Sequence, residues 1–459
     1  MHALAKRQQT QARTLAPKPG AEARLLEIYR LIGKGNARQA LLAADSLALD
    51  HPTFKLAHLV RGDLLLTMAG RAKQFGDVTT GGIPADIPAV RGEAITPRNP
   101  RAAEGITNNA GANLTLNPAT LPELRQEAEL RVAALRERPA SDAVPAAFIE
   151  LGSNVRDAFL VDLSRSRLYH YRQVAGKLTL DQDYYITQGR LGPDKSFEGD
   201  QRTPLGVYFV TRALNRKALD NFYGAGALPI NFPNEFDRRR NRTGSGIWLH
   251  GVPDGPSGTL SRAPRASDGC VVLANNDLQR VLGHVAGTRP ENGGVLVPVV
   301  ITRRATWVTP AQQTTNRAPF DRLLADWQRE RATPQGANFK NFYSFYFQSN
   351  NLPFEPWAAK AYASAPPAGI RDATVIYYPL GVGNSAANVA ANFVATPVAS
   401  SDAKLDLMQD AKQSTRQDEL LVVTYLDTEA RGKRTALVKK RQYWHKVNGR
   451  WQIFFEGAI

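Results

Sequence analysis

The sequence contains one cysteine in 459 residues, Cys270, so an internal disulfide framework is excluded. No apolar run approaches the ~20 residues of a membrane-spanning helix. Gly294-Val295-Leu296-Val297-Pro298-Val299-Val300-Ile301 is far too short and reads as a buried strand. A long apolar segment is missing near the start, so no intact secretory signal is visible. Ala3-Leu4-Ala5 fits the tail of a cleavage site as well as it fits a trimmed or a cytosolic start. Acidic side chains are the scarcer charge, 42 against 58 Lys+Arg, for a net +16. Such a surface favours nucleic acid, acidic lipid or an anionic wall polymer. The interleaved basic and aromatic pattern of nucleic-acid binders is absent, and nucleic acid is not an expected partner. Phosphate-binding glycine motifs are also missing, because Gly224-Ala225-Gly226 lacks a strand-to-helix setting. His51 and His58 are too far apart for a one-turn metal pair, and no zinc-like ligand set is legible. No metal and no cofactor are expected; His170, His284 and His445 read as structural.

What is present divides the chain into unlike parts. A hydrophobic share of 43% fits ordinary globular protein. Residues 1–78 read as a helical, tetratricopeptide-like region, with Leu25, Ile28, Tyr29 and Ile32 at helical spacing and Ala40, Leu41, Ala44, Leu47 and Ala48 forming a second face. These helices suit a scaffold or a homodimer surface. Residues 79–145 read as loop and linker with one amphipathic helix from Leu121 to Arg138. From Phe148 the pattern turns to strands, with a hairpin at Ala158–Asp162 and Arg167–Tyr171. Residues 146–305 are thus a β-rich domain. Residues 316–459 predict helices, then an antiparallel sheet closed by the two-residue turn Asn448-Gly449, hence an α+β domain.

Cys270 carries the chemistry. It sits in Ser267-Asp268-Gly269-Cys270-Val271-Val272-Leu273, downstream of Ile247-Trp248-Leu249-His250-Gly251. A thiol reacts as thiolate and needs a base, and the attacked carbonyl needs bare backbone N–H groups for its oxyanion. A lone buried cysteine is usually inert packing, and a histidine at a strand end is usually just hydrogen-bonded. Taken separately, each residue favours its bland reading, and only a resemblance spanning four segments decides against both. Arg238-Arg239-Arg240-Asn241-Arg242 is the densest basic cluster, either a solvated loop or a rim to the site. The loop Gly251–Ala266, with Gly255, Pro256, Gly258 and Pro264, reads equally as a lid or a surface connection.

Four segments in order resemble the catalytic domain of the L,D-transpeptidases, the YkuD family. They are Ala158-Phe159-Leu160-Val161-Asp162 with Arg167-Leu168-Tyr169, Gly199-Asp200-Gln201-Arg202-Thr203-Pro204-Leu205-Gly206-Val207-Tyr208, Ile247–Gly251, and Ser267–Cys270. The resemblance implies a β-sandwich-like fold and a Cys/His pair. Cys270 would attack a peptidoglycan stem tetrapeptide, His250 would move the proton, the Gly251 carbonyl would orient His250, and the N–H groups of Gly269 and Cys270 would form the oxyanion hole. Ser267, Asp268 and Arg265 are candidate substrate contacts. Asp268 stands where many members have histidine, and Val272 where many have arginine or asparagine, so Arg265 is the candidate replacement for the carboxylate contact.

The C-terminal part resembles an NTF2-like fold, with Trp327, Tyr343, Tyr346 and Trp444 expected either to line a pocket or to fill a core. The three-part order resembles the cell-shape-determining peptidoglycan peptidases of helical Gram-negative bacteria. It implies a periplasmic or envelope location, with L,D-transpeptidase-type acyl transfer as the first reading and L,D-carboxypeptidase trimming as the second. A non-catalytic wall-binding adaptor is the rival of another class.

Overall fold

The computed structural model describes residues 20–71, 121–253, 262–286, 296–333, 337–362, 369–379, 419–431 and 434–459. The expected long loop lies almost wholly outside the described residues, as do residues 254–261 of the loop between His250 and Cys270. Among the described residues, no helix is long and apolar enough to cross a membrane.

Apolar residues at helical spacing build the first unit. It comprises Met1–Arg136 with Pro253–Pro264, and the second comprises Glu137–Val252 with Arg265–Ile459. Helices Ala21–Gly33, Ala37–Asp50 and Lys55–Met68 pack in succession, and Leu121–Arg136 lies against the first and third. Leu25, Ile28 and Tyr29 face Ala40, Ala44 and Leu47 in one core. The alanines let the helix backbones approach closely. Asp63 receives both terminal nitrogens of Arg125 at 3.0 and 3.1 Å, a bidentate pair that fixes the last helix on the third.

In the second unit, Asp157–Asp162 is buried along its whole length and stands in the middle of a five-stranded sheet. Its order is Lys177–Tyr185, Arg167–Val174, Asp157–Asp162, Pro298–Thr302 and Gly206–Phe209. The expected hairpin is present, with Asp162 opposite Arg167. A second, four-stranded sheet runs Val271–Val272, Trp248–His250, Gly226–Pro229 and Leu214–Asn215. Isolated bridges Thr187–Val272 and Val210–Ile230 tie the two sheets together around a shared apolar core.

The C-terminal sheet is antiparallel, in the order Arg450–Ala458, Arg434–Val447, Glu419–Arg431, Arg371–Pro379 and Phe148–Glu150. Its last member departs from the sequence reading. Phe148–Glu150 was expected to open the middle domain, but Phe148 pairs with Ile376 and Glu150 with Val375. A three-residue apolar strand carries no local signal of its partner. The closing hairpin matches expectation: Asn448 (φ 49°) and Gly449 (φ 80°) both adopt the left-handed backbone that a two-residue turn needs. Helix Pro310–Arg331 starts at a capping box of Thr309 and Gln312, with proline at its first position.

Of the four aromatics, Trp327, Tyr343 and Trp444 are buried in the core, whereas Tyr346 is exposed. That interior closes on the Glu456 carboxylate, which accepts from Tyr343 Oη and Tyr425 Oη at 2.9 Å and from Gln442 Nε2 at 2.7 Å.

Candidate active site

Strand pairing brings the two sequence-distant residues together. Trp248–His250 runs parallel to Val271–Val272, with Leu249 opposite Val271 and His250 opposite Val272. One step back in the same register, Cys270 is level with Trp248. Side chains alternate along strands, so Trp248, His250, Cys270 and Val272 share a face. Cys270 and His250 are therefore diagonal neighbours.

His250 is 2% exposed, and its Nδ1–H donates to the Gly251 carbonyl at 2.6 Å. That bond leaves Nε2 as the lone-pair nitrogen. Burial pulls the imidazole down to about 4, against a smaller upward pull from the Gly251 carbonyl. Rings of Phe222 and Tyr223 stand 5.4 and 5.3 Å from the imidazole. Tyr223 also stacks on Trp248 at 4.6 Å; burial raises its phenol and the charge of an ionised Cys270 adds to this, so one ring adjoins base and nucleophile. Gly251 runs in close quarters: a Cβ there would meet Asn275 Oδ1 at 2.1 Å. That oxygen accepts the N–H groups of Ala225 and Val252, each at 3.0 Å.

Cys270 is half-buried, and its Sγ donates to the Gly246 carbonyl at 3.3 Å. Burial pushes the thiol up to about 11; a backbone bond from Trp248 and the charge of Lys195 favour the thiolate, and Asp268 opposes it. The sulfur keeps its proton and gives it to a carbonyl, beside a neutral imidazole. Desolvation penalises both charged forms and decides the outcome.

The turn before the sulfur is held from within. Ser267 Oγ donates to the Cys270 carbonyl at 2.7 Å and accepts the Gly269 N–H at 3.2 Å. Thr203 Oγ1 donates to the Gly269 carbonyl at 2.9 Å. Gly269 has φ 129°, and a Cβ there would lie 2.6 Å from the Arg202 carbonyl oxygen. Ser267, expected at the substrate, is buried with its hydroxyl committed to this turn. Asp268 takes Gln201 Nε2 at 3.3 Å and lies 3.5 Å from Arg190 Nη1. Arg265 is exposed and lies beside Gly192, and Val272 is buried in the sheet.

Three contributors escaped the sequence reading: Tyr223, Asn275 and the buried pair Lys195–Asp200. Asp200 lay within a quoted segment, but nothing local marks Lys195 as its partner. The basic cluster also proves largely committed. Arg239 lies 4.9 Å over the Phe454 ring, Arg240 lies 4.6 Å over Phe236, and Arg242 pairs with Asp194 at 2.8 Å. The question of a lid falls in part on residues 254–261, which lie outside those described.

Residues 156–301 match the model of the L,D-transpeptidase catalytic domain, YkuD. Among solved structures, Bd1075 of Bdellovibrio bacteriovorus is similar at 21% identity over 69% of this chain and 98% of that one, with a TM-score of 0.49. The helical cell shape determining protein Pgp2 from Campylobacter jejuni is similar at 20% identity over 70% of this chain and 97% of that one, with a TM-score of 0.48. A search of curated proteins finds no match. Residues 156–301 of this chain are an L,D-transpeptidase catalytic domain of the YkuD family.

Proposed function

We propose that this protein is a cysteine acyl-transfer enzyme of the cell envelope acting on peptidoglycan stem tetrapeptides. The observation that carries the reading is the parallel pairing of Trp248–His250 with Val271–Val272, whose register, continued one residue back, sets Cys270 on the face of His250. The sulfur attacks the carbonyl between the L- and D-centres, forming a C–S bond. His250 Nε2 takes the thiol proton as that bond forms, since the resting pair is neutral. The tetrahedral intermediate expels the D-amino acid, whose amine receives the proton from His250. Water or an acceptor amine then cleaves the thioester and regenerates the thiol. To reach His250, the sulfhydryl must leave the Gly246 carbonyl, a rotation that substrate in the groove would favour.

Cys270 N–H supplies one oxyanion donor in this reading. Gly269 N–H joins it only by turning from Ser267 Oγ. Ser267 acts through the shape of the turn, whereas Arg265 and the Arg190–Asp268 pair offer charge to the stem peptide. The C-terminal α+β part, read as NTF2-like, serves as an accessory to this domain.

Incubation with disaccharide-tetrapeptide, with products read by mass spectrometry, tests the proposal. Tripeptide as the only product means hydrolysis and carboxypeptidase action, and a cross-linked dimer means transfer. Unchanged tetrapeptide with wild type would favour a non-catalytic adaptor, and equal turnover by Cys270→Ala would remove Cys270 as the nucleophile.

A further inference from the structure

A second cluster of ligating side chains lies elsewhere on the catalytic domain, in residues read from sequence as merely structural. His170, on strand Arg167–Val174, Asp181, on Lys177–Tyr185, and His284, in the last turn of helix Asn275–Ala286, converge with one ligand atom each within 4.8 Å of one another. His170 Nδ1 is 3.6 Å from Asp181 Oδ2, and His284 Nε2 is 3.9 Å from that same oxygen. The two imidazoles meet edge-on with centroids 4.8 Å apart.

The decisive detail is the state of His170. The side chain is fully buried, and its Nε2 lies 2.7 Å from Asp157 Oδ1. A carboxylate only accepts, so Nε2 carries the proton, and in the neutral imidazole Nδ1 presents a lone pair. That buried Nδ1 makes no hydrogen bond. A sealed, unpartnered nitrogen costs stability unless something occupies it. A carboxylate on the far nitrogen is the arrangement that orients a metal-bound histidine and raises its basicity.

We propose that His170 Nδ1, Asp181 and His284 Nε2 form a divalent transition-metal site, with zinc the ion best suited to it. Two imidazoles and one carboxylate are nitrogen-rich for calcium or magnesium and suit zinc. A tetrahedral ion with bonds of about 2.0–2.1 Å sets its ligand atoms about 3.3–3.4 Å apart. The distances of 3.6 and 3.9 Å need only a small contraction, and the half-exposed side chains of Asp181 and His284 can make it. The same exposure leaves the fourth position to water. The helix end supplies further attraction, because its last carbonyls carry partial negative charge. Arg172 is an opposing charge, 3.7 Å from Asp157 and 3.9 Å from the other Asp181 oxygen, and it leaves Oδ2 to the ion.

The site would be a structural clamp. Helix Asn275–Ala286 follows Cys270 directly in the chain, and its first residue holds the backbone beside His250. A zinc ion would pin the far end of that helix to the hairpin carrying His170 and Asp181.

The test uses the full chain, stripped of metal and carrying Cys270→Ser, so that the catalytic thiol contributes no ligand. Equilibrium dialysis against zinc should retain one ion per chain, and the melting temperature should rise with zinc. Cobalt in its place should show the visible absorption of a tetrahedral site. His284→Ala and Asp181→Asn, both at half-exposed positions, should each weaken zinc binding by at least about 100-fold while keeping the metal-free melting temperature. Asp157→Asn should weaken it by about 10–100-fold. If His284→Ala fails to fold, Asp181→Asn decides alone. Zinc retained equally by the parent and these variants, or not retained by the parent at all, would overturn the assignment.

Discussion

Lys195 Nζ lies 2.8 Å from Asp200 Oδ1, with both side chains almost sealed from water. Burial pushes the Asp200 carboxyl up; Lys195 and the N–H groups of Ser196, Phe197 and Arg202 more than reverse this, leaving it below the ordinary value. The pair organises the loop that carries Thr203 to the Gly269 carbonyl, and its ammonium also favours the Cys270 thiolate. Lys195→Met leaves a buried carboxylate without its counter-ion, and we expect a loss of about 3–5 kcal/mol in urea unfolding. The pH at which iodoacetamide begins to label Cys270 should also move upward. Wild-type stability in this variant would show that the backbone N–H groups alone suffice.

The titration of His250 and Cys270 sets two pH limits. His250 falls to about 4 and His445, buried near Arg239 and Arg240, to about 3, both from 6.5. Below 6.5 the unfolded chain therefore binds more protons than the native one. This contribution to stability is complete above pH 6.5 and lost as pH falls toward 4 and 3. Cys270 works at the other limit: the unfolded thiol ionises near 9.0 and the native one at about 11, so stability declines as pH rises between them. Urea midpoints measured across pH should trace both flanks, and Cys270→Ser should lessen the alkaline decline, to which tyrosines with phenols raised by burial also contribute. Turnover should stay level through neutrality and fall only as His250 protonates. A bell centred sharply near neutrality would instead indicate a resting thiolate–imidazolium pair.

Gly269→Ala tests the backbone of the nucleophile turn. A methyl group there meets the Arg202 carbonyl at 2.6 Å on a backbone with φ 129°. Strain of about 1–3 kcal/mol should appear in thermal melts. The displaced Cys270 N–H should lower kcat by about 100-fold or more. Full activity would place the oxyanion elsewhere.

Tyr223 packs against both His250 and Trp248 through its ring. Tyr223→Phe should keep kcat/KM within about threefold, whereas Tyr223→Ala should lower it by about tenfold to 100-fold as the imidazole loses its wall. Equal losses in both variants would assign the hydroxyl, rather than the ring, to the reaction.

Much of this was readable in one dimension. Periodicity placed the helices around Leu25 and Ala44, alternation placed the hairpin at Asp162 and Arg167, and Asn448-Gly449 announced its own turn. Motif order named Cys270 and His250. These signals are local, or are short strings whose meaning survives without knowledge of their neighbours. The position of Phe148–Glu150 was not legible, since strand partners are chosen over hundreds of residues. The convergence of His170, Asp181 and His284 was hidden in the same way, by a cross-strand step and a helix from far along the chain.

The sequence by itself determined which atoms are available for chemistry: one sulfur, a few imidazoles, and glycines where the backbone must turn tightly. Only the tertiary structure decided their charge and direction. Ionisation depends on how much water the packed protein removes, and a side chain's partner depends on which strands lie side by side. Cys270 therefore rests as a neutral thiol on Gly246, and His170 Nδ1 stands 3.6 Å from Asp181.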